Sequence, residues 1–162
     1  MVAPASLRDR ALAVLETVTD PEIPVLTIAD LGILREVSVQ NDTVEVTITP
    51  TYSGCPAMNM ITLDIETALA RAGIKARVQT VLSPAWTTDW LTDAARTKLA
   101  AFGIAPPEHT ASRRALFGEA HPACPLCGSN DTELISEFGS TACKSLHRCR
   151  ACREPFDAFK CH

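Results

Sequence analysis

Two Cys-x-x-Cys pairs near the C-terminus, Cys124-Pro-Leu-Cys127 and Cys149-Arg-Ala-Cys152, are the residues best placed to do chemistry. A two-residue spacer lets both sulfurs of a pair turn toward one metal ion at roughly 2.3 Å. About twenty residues between the pairs leave room for a hairpin, close to zinc-ribbon spacing. Cys124, Cys127, Cys149 and Cys152 are therefore the expected ligands of a structural zinc ion. A module of about 40 residues cannot bury an adequate core, so the metal must supply folding free energy on the order of 10 kcal/mol. Thioredoxin-like redox pairs are the competing reading. That motif needs a strand–helix context and usually occurs once, whereas both pairs here sit in turns beside short strands. Replacement of Cys149 by Cys143 or His147 is a lesser alternative, disfavoured by the regular spacing.

A separate cysteine, Cys55, stands where a turn-rich segment, Thr51-Tyr52-Ser53-Gly54-Cys55-Pro56, enters a helix. Helix starts leave backbone N–H groups unpaired and carry partial positive charge. Both favour a thiolate, which predicts a lowered Cys55 pKa. Ser53-Gly54 permits a tight loop and close backbone approach. Such a thiolate can be a nucleophile, a redox centre or a soft-metal ligand. The plain alternative is a buried cysteine filling a small gap. A nucleophile needs a positioned base, and no histidine lies near Cys55 in sequence.

The elements that must position these groups are legible in the apolar periodicity. Leu7, Ala11, Val14, Leu15 and Val18 predict a helix over Ser6–Val18, stopped by Asp20-Pro21. Ile33, Val37 and Val39, then Asn41-Asp42, then Val44, Val46 and Ile48 predict a hairpin with one buried face. Pro56 suits a helix start, and Met58, Ile61, Ile65, Ala68 and Leu69 carry the helix to Ala72, with Gly73 capping it. A third strand over Ala76–Leu82 and a helix over Asp89–Phe102 follow. Trp86 and Trp90 cover the end of the core or an interface. The fold class is α+β: a small three-stranded sheet with flanking helices, followed by a zinc ribbon. The expected division is a domain over 1–104, a linker over 105–122 and a ribbon over 123–162. Within the ribbon, Thr132–Phe138, Leu146–Arg148 and Pro155–Lys160 are the expected strands.

The net charge of −4 argues against a nucleic-acid protein held by phosphate contacts. Arg148, Arg150 and Arg153 around the second pair read as a solvated surface rather than a phosphate site. The N-terminal segment lacks an uninterrupted apolar run of signal-peptide type, and no run is long enough to span a membrane. A cytoplasmic setting is expected, where thiols stay reduced. The seven cysteines, an odd number, agree with it. His109, His121 and His162 read as solvated.

Three motifs together carry a resemblance. Asp20-Pro21-Glu22-Ile23-Pro24-Val25, Ile28-Ala29-Asp30-Leu31-Gly32-Ile33 and Ile48-Thr49-Pro50-Thr51-Tyr52-Ser53-Gly54-Cys55-Pro56-Ala57 resemble the small domain of iron–sulfur cluster assembly factors, over roughly residues 5–104. Phe138-Gly139-Ser140-Thr141-Ala142-Cys143-Lys144, the two pairs, and Glu154-Pro155-Phe156-Asp157-Ala158-Phe159-Lys160 resemble PaaD-like proteins of the phenylacetyl-CoA epoxidase system. The resemblance implies an accessory, non-catalytic role in phenylacetate catabolism. Its task would be assembly or insertion of a metal cofactor, with the iron–sulfur reductase subunit as client. It places the cluster-handling role on Cys55. Asp20 and Glu22 would line that site; alternatively Asp20 and Asp30 fix turns. One thiolate cannot hold a cluster, so a homodimer, a second thiol such as Cys143, or a small thiol would complete the shell. Cys161 is the remaining cysteine. No motif for oxygenase, flavin or nucleotide chemistry is present in the chain.

Overall fold

The computed structural model describes residues 5–108 and 121–160. They group into two compact units, one ending at Trp86 and the other beginning at Thr87. His109, Cys161, His162 and most of the expected linker lie outside the described residues.

In the first unit, α1 (Leu7–Leu15) opens on a reciprocal cap. Ser6 Oγ accepts from the Asp9 amide, and the Asp9 carboxylate accepts from the Ser6 amide. Two otherwise orphaned donors are thereby satisfied. The helix stops at Leu15, short of Val18. The Thr17 and Val18 amides bond to the Val14 and Leu15 carbonyls instead, a tightening typical of helix ends. Val18 stays buried as the chain turns away into a bridge between Thr19 and Thr27.

Strands β1 (Leu34–Gln40) and β2 (Thr43–Ile48) pair antiparallel. Asn41 and Asp42 join them with φ of 47° and 61°, the mark of a two-residue type I′ turn. Val44, Val46 and Ile48 alternate into the core, as period two requires. Strand β3 (Ala76–Thr80) lies parallel to β2, giving the order β1-β2-β3. A parallel pair needs a crossover, and α2 (Ala57–Arg71) supplies it. Ala57, Ile61, Ile65 and Leu69 recur every fourth residue and are buried along one face. Gly73, at φ +70°, ends the helix in a left-handed cap. Its amide bonds to the Ala70 carbonyl, and the Ile74 amide reaches back to Leu69. Trp86 closes this core, its indole N–H donating to the Leu31 carbonyl at 2.8 Å.

The second unit begins with a 3₁₀ turn, Thr88–Trp90, and α3 (Asp93–Ala101). A single helix over Asp89–Phe102 is therefore not what forms. Thr92 Oγ1 accepts from the Ala95 amide and starts a new helix there. Strands β4 (Ile104–Ala105), β5 (Thr132–Ser136), β6 (Lys144–Cys149) and β7 (Pro155–Phe159) form a sheet in the order β4-β7-β6-β5. The last three are the expected ribbon strands with shifted ends. β4 is new: it pairs parallel with β7 through Ile104 and Asp157. The two compact units adjoin in sequence at Trp86 and Thr87, and the chain after α3 contributes β4 to the ribbon sheet. The buried cluster of this sheet is small and includes ligand-type residues: Ala105, Cys124, Cys149, Phe156 and Ala158.

Asp42 occupies a left-handed position that glycine adopts without steric cost. Asp42→Gly is expected to stabilise the protein by about 0.5 kcal/mol, read as a raised midpoint in urea unfolding with an unchanged slope.

Candidate functional site

The two Cys-x-x-Cys turns are built alike. In the first, the Cys124 amide donates to the Ser129 carbonyl at 2.9 Å; in the second, the Cys149 amide donates to the Glu154 carbonyl at 3.0 Å. The residue after each second cysteine is left-handed, Gly128 at φ 76° and Arg153 at φ 67°. These turns bring all four sulfurs within 4.8 Å of one another. Cys124 and Cys152 Sγ lie 3.7 Å apart, and Cys127 and Cys149 Sγ 3.6 Å apart. A tetrahedron with metal–sulfur bonds of about 2.3 Å has edges of roughly 3.8 Å. The donor set therefore fits a tetrahedral thiolate-bound ion, with β6 and the β6–β7 turn holding one pair and the loop before β5 the other.

Electrostatics support the same use. The Cys152 amide points at Cys149 Sγ across 3.5 Å and helps hold that thiol down at about 7. At Cys152 the Glu154 amide favours the thiolate, but burial and the neighbouring sulfurs push the group up to about 12. Without an ion, Cys127 and Cys152 keep their protons, and an ion must displace them. His147 and Cys143 stand outside this tetrad. His147 is buried, stacked on Phe156 at 5.7 Å, with Nε2 2.9 Å from Ser145 Oγ. Cys143 is buried with its sulfur 3.0 Å from Thr141 Oγ1. Arg150 pairs with Glu133 at 3.0 Å on the exposed surface.

In the first unit, Cys55 is half-buried between β2 and α2. The Gly54 and Cys55 amides both bond to the Tyr52 carbonyl, which tightens the loop. A side chain at Gly54 would meet nothing within 4 Å, so the loop faces open space there. Asp20 fixes the loop after α1: its Oδ1 accepts from the Glu22 and Ile23 amides, each at 2.8 Å. Asp30 fixes the next turn through a reciprocal pair of bonds with Thr27. The expectation of a lowered Cys55 pKa is corrected. Burial raises it first; the Ala57 amide opposes this, Glu22 raises it further, Thr51 opposes and Asp20 raises. The helix-start amide is present, but desolvation and two carboxylates outweigh it. Cys55 is thus a protonated thiol beside Glu22 and Asp20.

Both halves of the chain have counterparts among known proteins. Residues 8–83 match the family model described as iron-sulfur cluster assembly protein, and residues 108–160 match the PaaD zinc beta ribbon domain. The chain is 50% identical over 150 residues to an Escherichia coli (strain K12) protein named as a putative subunit of 1,2-phenylacetyl-CoA epoxidase. That alignment covers 92% of this chain and 90% of the relative. The chain belongs to the PaaD family. A Porphyromonas gingivalis protein named Fe-S protein maturation auxiliary factor is 36% identical over 88 residues, 52% of this chain and 83% of its own length. A crystal structure of a domain of unknown function, DUF59, from Bacillus anthracis matches with a TM-score of 0.54 at 28% identity. It covers 57% of this chain and 91% of that one. The α+β domain and the zinc ribbon of this PaaD-family chain are both accounted for. No helix among the described residues is long and apolar enough to cross a membrane.

Two measurements test this geometry. A strong zinc chelator is expected to collapse the dispersed amide signals of 123–160 while those of α1, α2 and β1–β3 remain. Lowering the pH should have the same effect, because protons compete for the thiolates. Separately, iodoacetamide should alkylate Cys55 at pH 8 several-fold more slowly than a free cysteine. Glu22→Gln removes a like charge and is expected to speed the reaction roughly threefold.

Proposed function

We propose that this chain is an accessory maturation factor for a phenylacetyl-CoA epoxidase system in phenylacetate catabolism. It assists iron–sulfur assembly or insertion and performs no catalysis of its own. The observation that carries this reading is the surroundings of Cys55. A half-buried thiol stands beside Glu22 and Asp20 at the mouth of a loop that is open over Gly54. Carboxylates that oppose a bare thiolate attract a cation, and a cation in turn favours the thiolate. The cargo, iron or a cluster, would therefore be accepted with release of a proton and held by few ligands. Few ligands suit a protein that must give its cargo away. The names of two relatives, an epoxidase subunit and an iron–sulfur maturation factor, support the same assignment.

One sulfur leaves most of a cluster's coordination open. Cys143 is buried within the ribbon, which favours a second copy's Cys55 in a homodimer, or a small thiol, as the completing ligand. The zinc ribbon would recognise the client, the iron–sulfur reductase subunit, in the cytoplasm. A stoichiometric structural subunit of the oxygenase is the second reading, favoured by the word subunit in the Escherichia coli relative's name.

Anaerobic reconstitution with iron and sulfide, followed by counting of iron and zinc per chain, distinguishes the two. Cys55→Ser is expected to lose the iron and keep the zinc, and cells carrying it should accumulate inactive oxygenase. Full oxygenase activity with Cys55→Ser, together with fixed-ratio copurification, would establish the structural role instead.

A further inference from the structure

The four sulfurs of the tetrad are not equally covered. Cys124 and Cys149 belong to the buried cluster of the ribbon, and Cys152 packs against it. Cys127 is the exposed member. The residues on either side leave it open. Leu126 is 59% exposed, and a Cβ at Gly128 would meet nothing within 4 Å. A small neutral molecule can therefore reach Cys127 Sγ without movement of the fold. A sulfur engaged as a metal ligand is a thiolate, and thiolates that meet solvent are the ones that peroxides oxidise.

An oxidised sulfur needs a second one within reach to form a disulfide. Cys149 Sγ lies 3.6 Å from Cys127 Sγ, while Cys124 and Cys152 Sγ face each other at 3.7 Å. The backbone keeps Cys127 and Cys149 close. Cys149 is the register partner of Thr132, and the Arg150 amide donates to the Asp131 carbonyl at 2.9 Å. The loop carrying Cys127 is thus tied to the end of β6 at two successive residues, by bonds that do not involve an ion.

We propose that Cys127 is a site of peroxide oxidation, that Cys149 resolves it, and that the link between them releases the ion and opens the ribbon. Hydrogen peroxide is the oxidant. The Cys127 sulfur attacks one peroxide oxygen; the O–O bond breaks, hydroxide leaves, and the sulfur, two electrons poorer, becomes a sulfenic acid. The Cys149 thiolate then attacks that sulfur, the S–S bond forms and a second hydroxide leaves. Two of the four donors are consumed, and Cys124 with Cys152 cannot complete a tetrahedral shell. Two molecules of a small thiol reverse the link and are themselves joined as a disulfide. The site uses the tetrad alone, so its failure would leave the cargo reading of Cys55 untouched.

The test treats the full, zinc-loaded chain with hydrogen peroxide beside a chromogenic zinc indicator, followed by trypsin digestion without reductant. Cleavage after Arg148, Arg150 and Arg153 puts Cys149 and Cys152 in separate peptides, so their links differ in mass. Fragmentation of the longer peptide separates Cys124 from Cys127. One zinc ion is expected to leave for each disulfide between Cys127 and Cys149. Dimedone added early should label Cys127 about fivefold more than Cys55, Cys124, Cys149 or Cys152. Dithiothreitol with added zinc should restore the dispersed amide signals of 123–160. Three results would overturn the proposal: a disulfide within either pair or between Cys124 and Cys152, first labelling at one of those four other cysteines, or zinc retained while peroxide is consumed.

Discussion

The parallel pairing of β2 with β3 constrains the first unit more than any single contact. Antiparallel β1 reaches β2 through two residues, but β3 runs the same way as β2. The chain must therefore return the full length of the sheet before β3 can begin, and α2 makes that return. The loop leaving β2 is then held at the carboxyl end of a strand and the amino end of a helix. In open α/β arrangements this is where ligands gather, because backbone amides converge there and side chains diverge enough to leave room. Cys55 stands at that junction, and the motif around Asp20 and Glu22 folds beside it. The chemistry of the thiol is thus a product of topology first and of neighbouring charge second.

The ribbon solves a different problem. Its buried cluster contains two of the four tetrad sulfurs, so metal binding and core formation are one event. The apolar side chains that share this cluster, Ala105, Phe156 and Ala158, are few for ordering four strands. The two cysteine sites have opposite designs. The tetrad offers four soft donors at tetrahedral spacing, a set that would hold an ion tightly. The Cys55 loop offers one donor with carboxylates nearby, a set that would suit the brief custody proposed for it.

Much of this was legible in the residues. The hairpin announced itself through alternation around Asn41-Asp42, α2 through its four-residue repeat, and the tetrad through its spacing. Each of these is a local pattern that tertiary packing reinforces. What escaped the sequence was set by long-range neighbours or by brevity. The sign of the Cys55 shift depends first on burial that no local pattern records, and then on Glu22 and Asp20, more than thirty residues away in sequence. β4 is two residues long and has no period to detect. The break before α3 turns on one threonine acting as a cap, where the apolar pattern runs on without interruption.

The left-handed residue after each Cys-x-x-Cys pair has a consequence for how the ribbon comes apart. Gly128 occupies its conformation at ease, but Arg153 must hold the same conformation with a full side chain. The two halves of an otherwise mirrored clasp are therefore unequally tensioned. Opening of the clasp would therefore relieve backbone strain at Arg153, on the β6–β7 side, and none at Gly128.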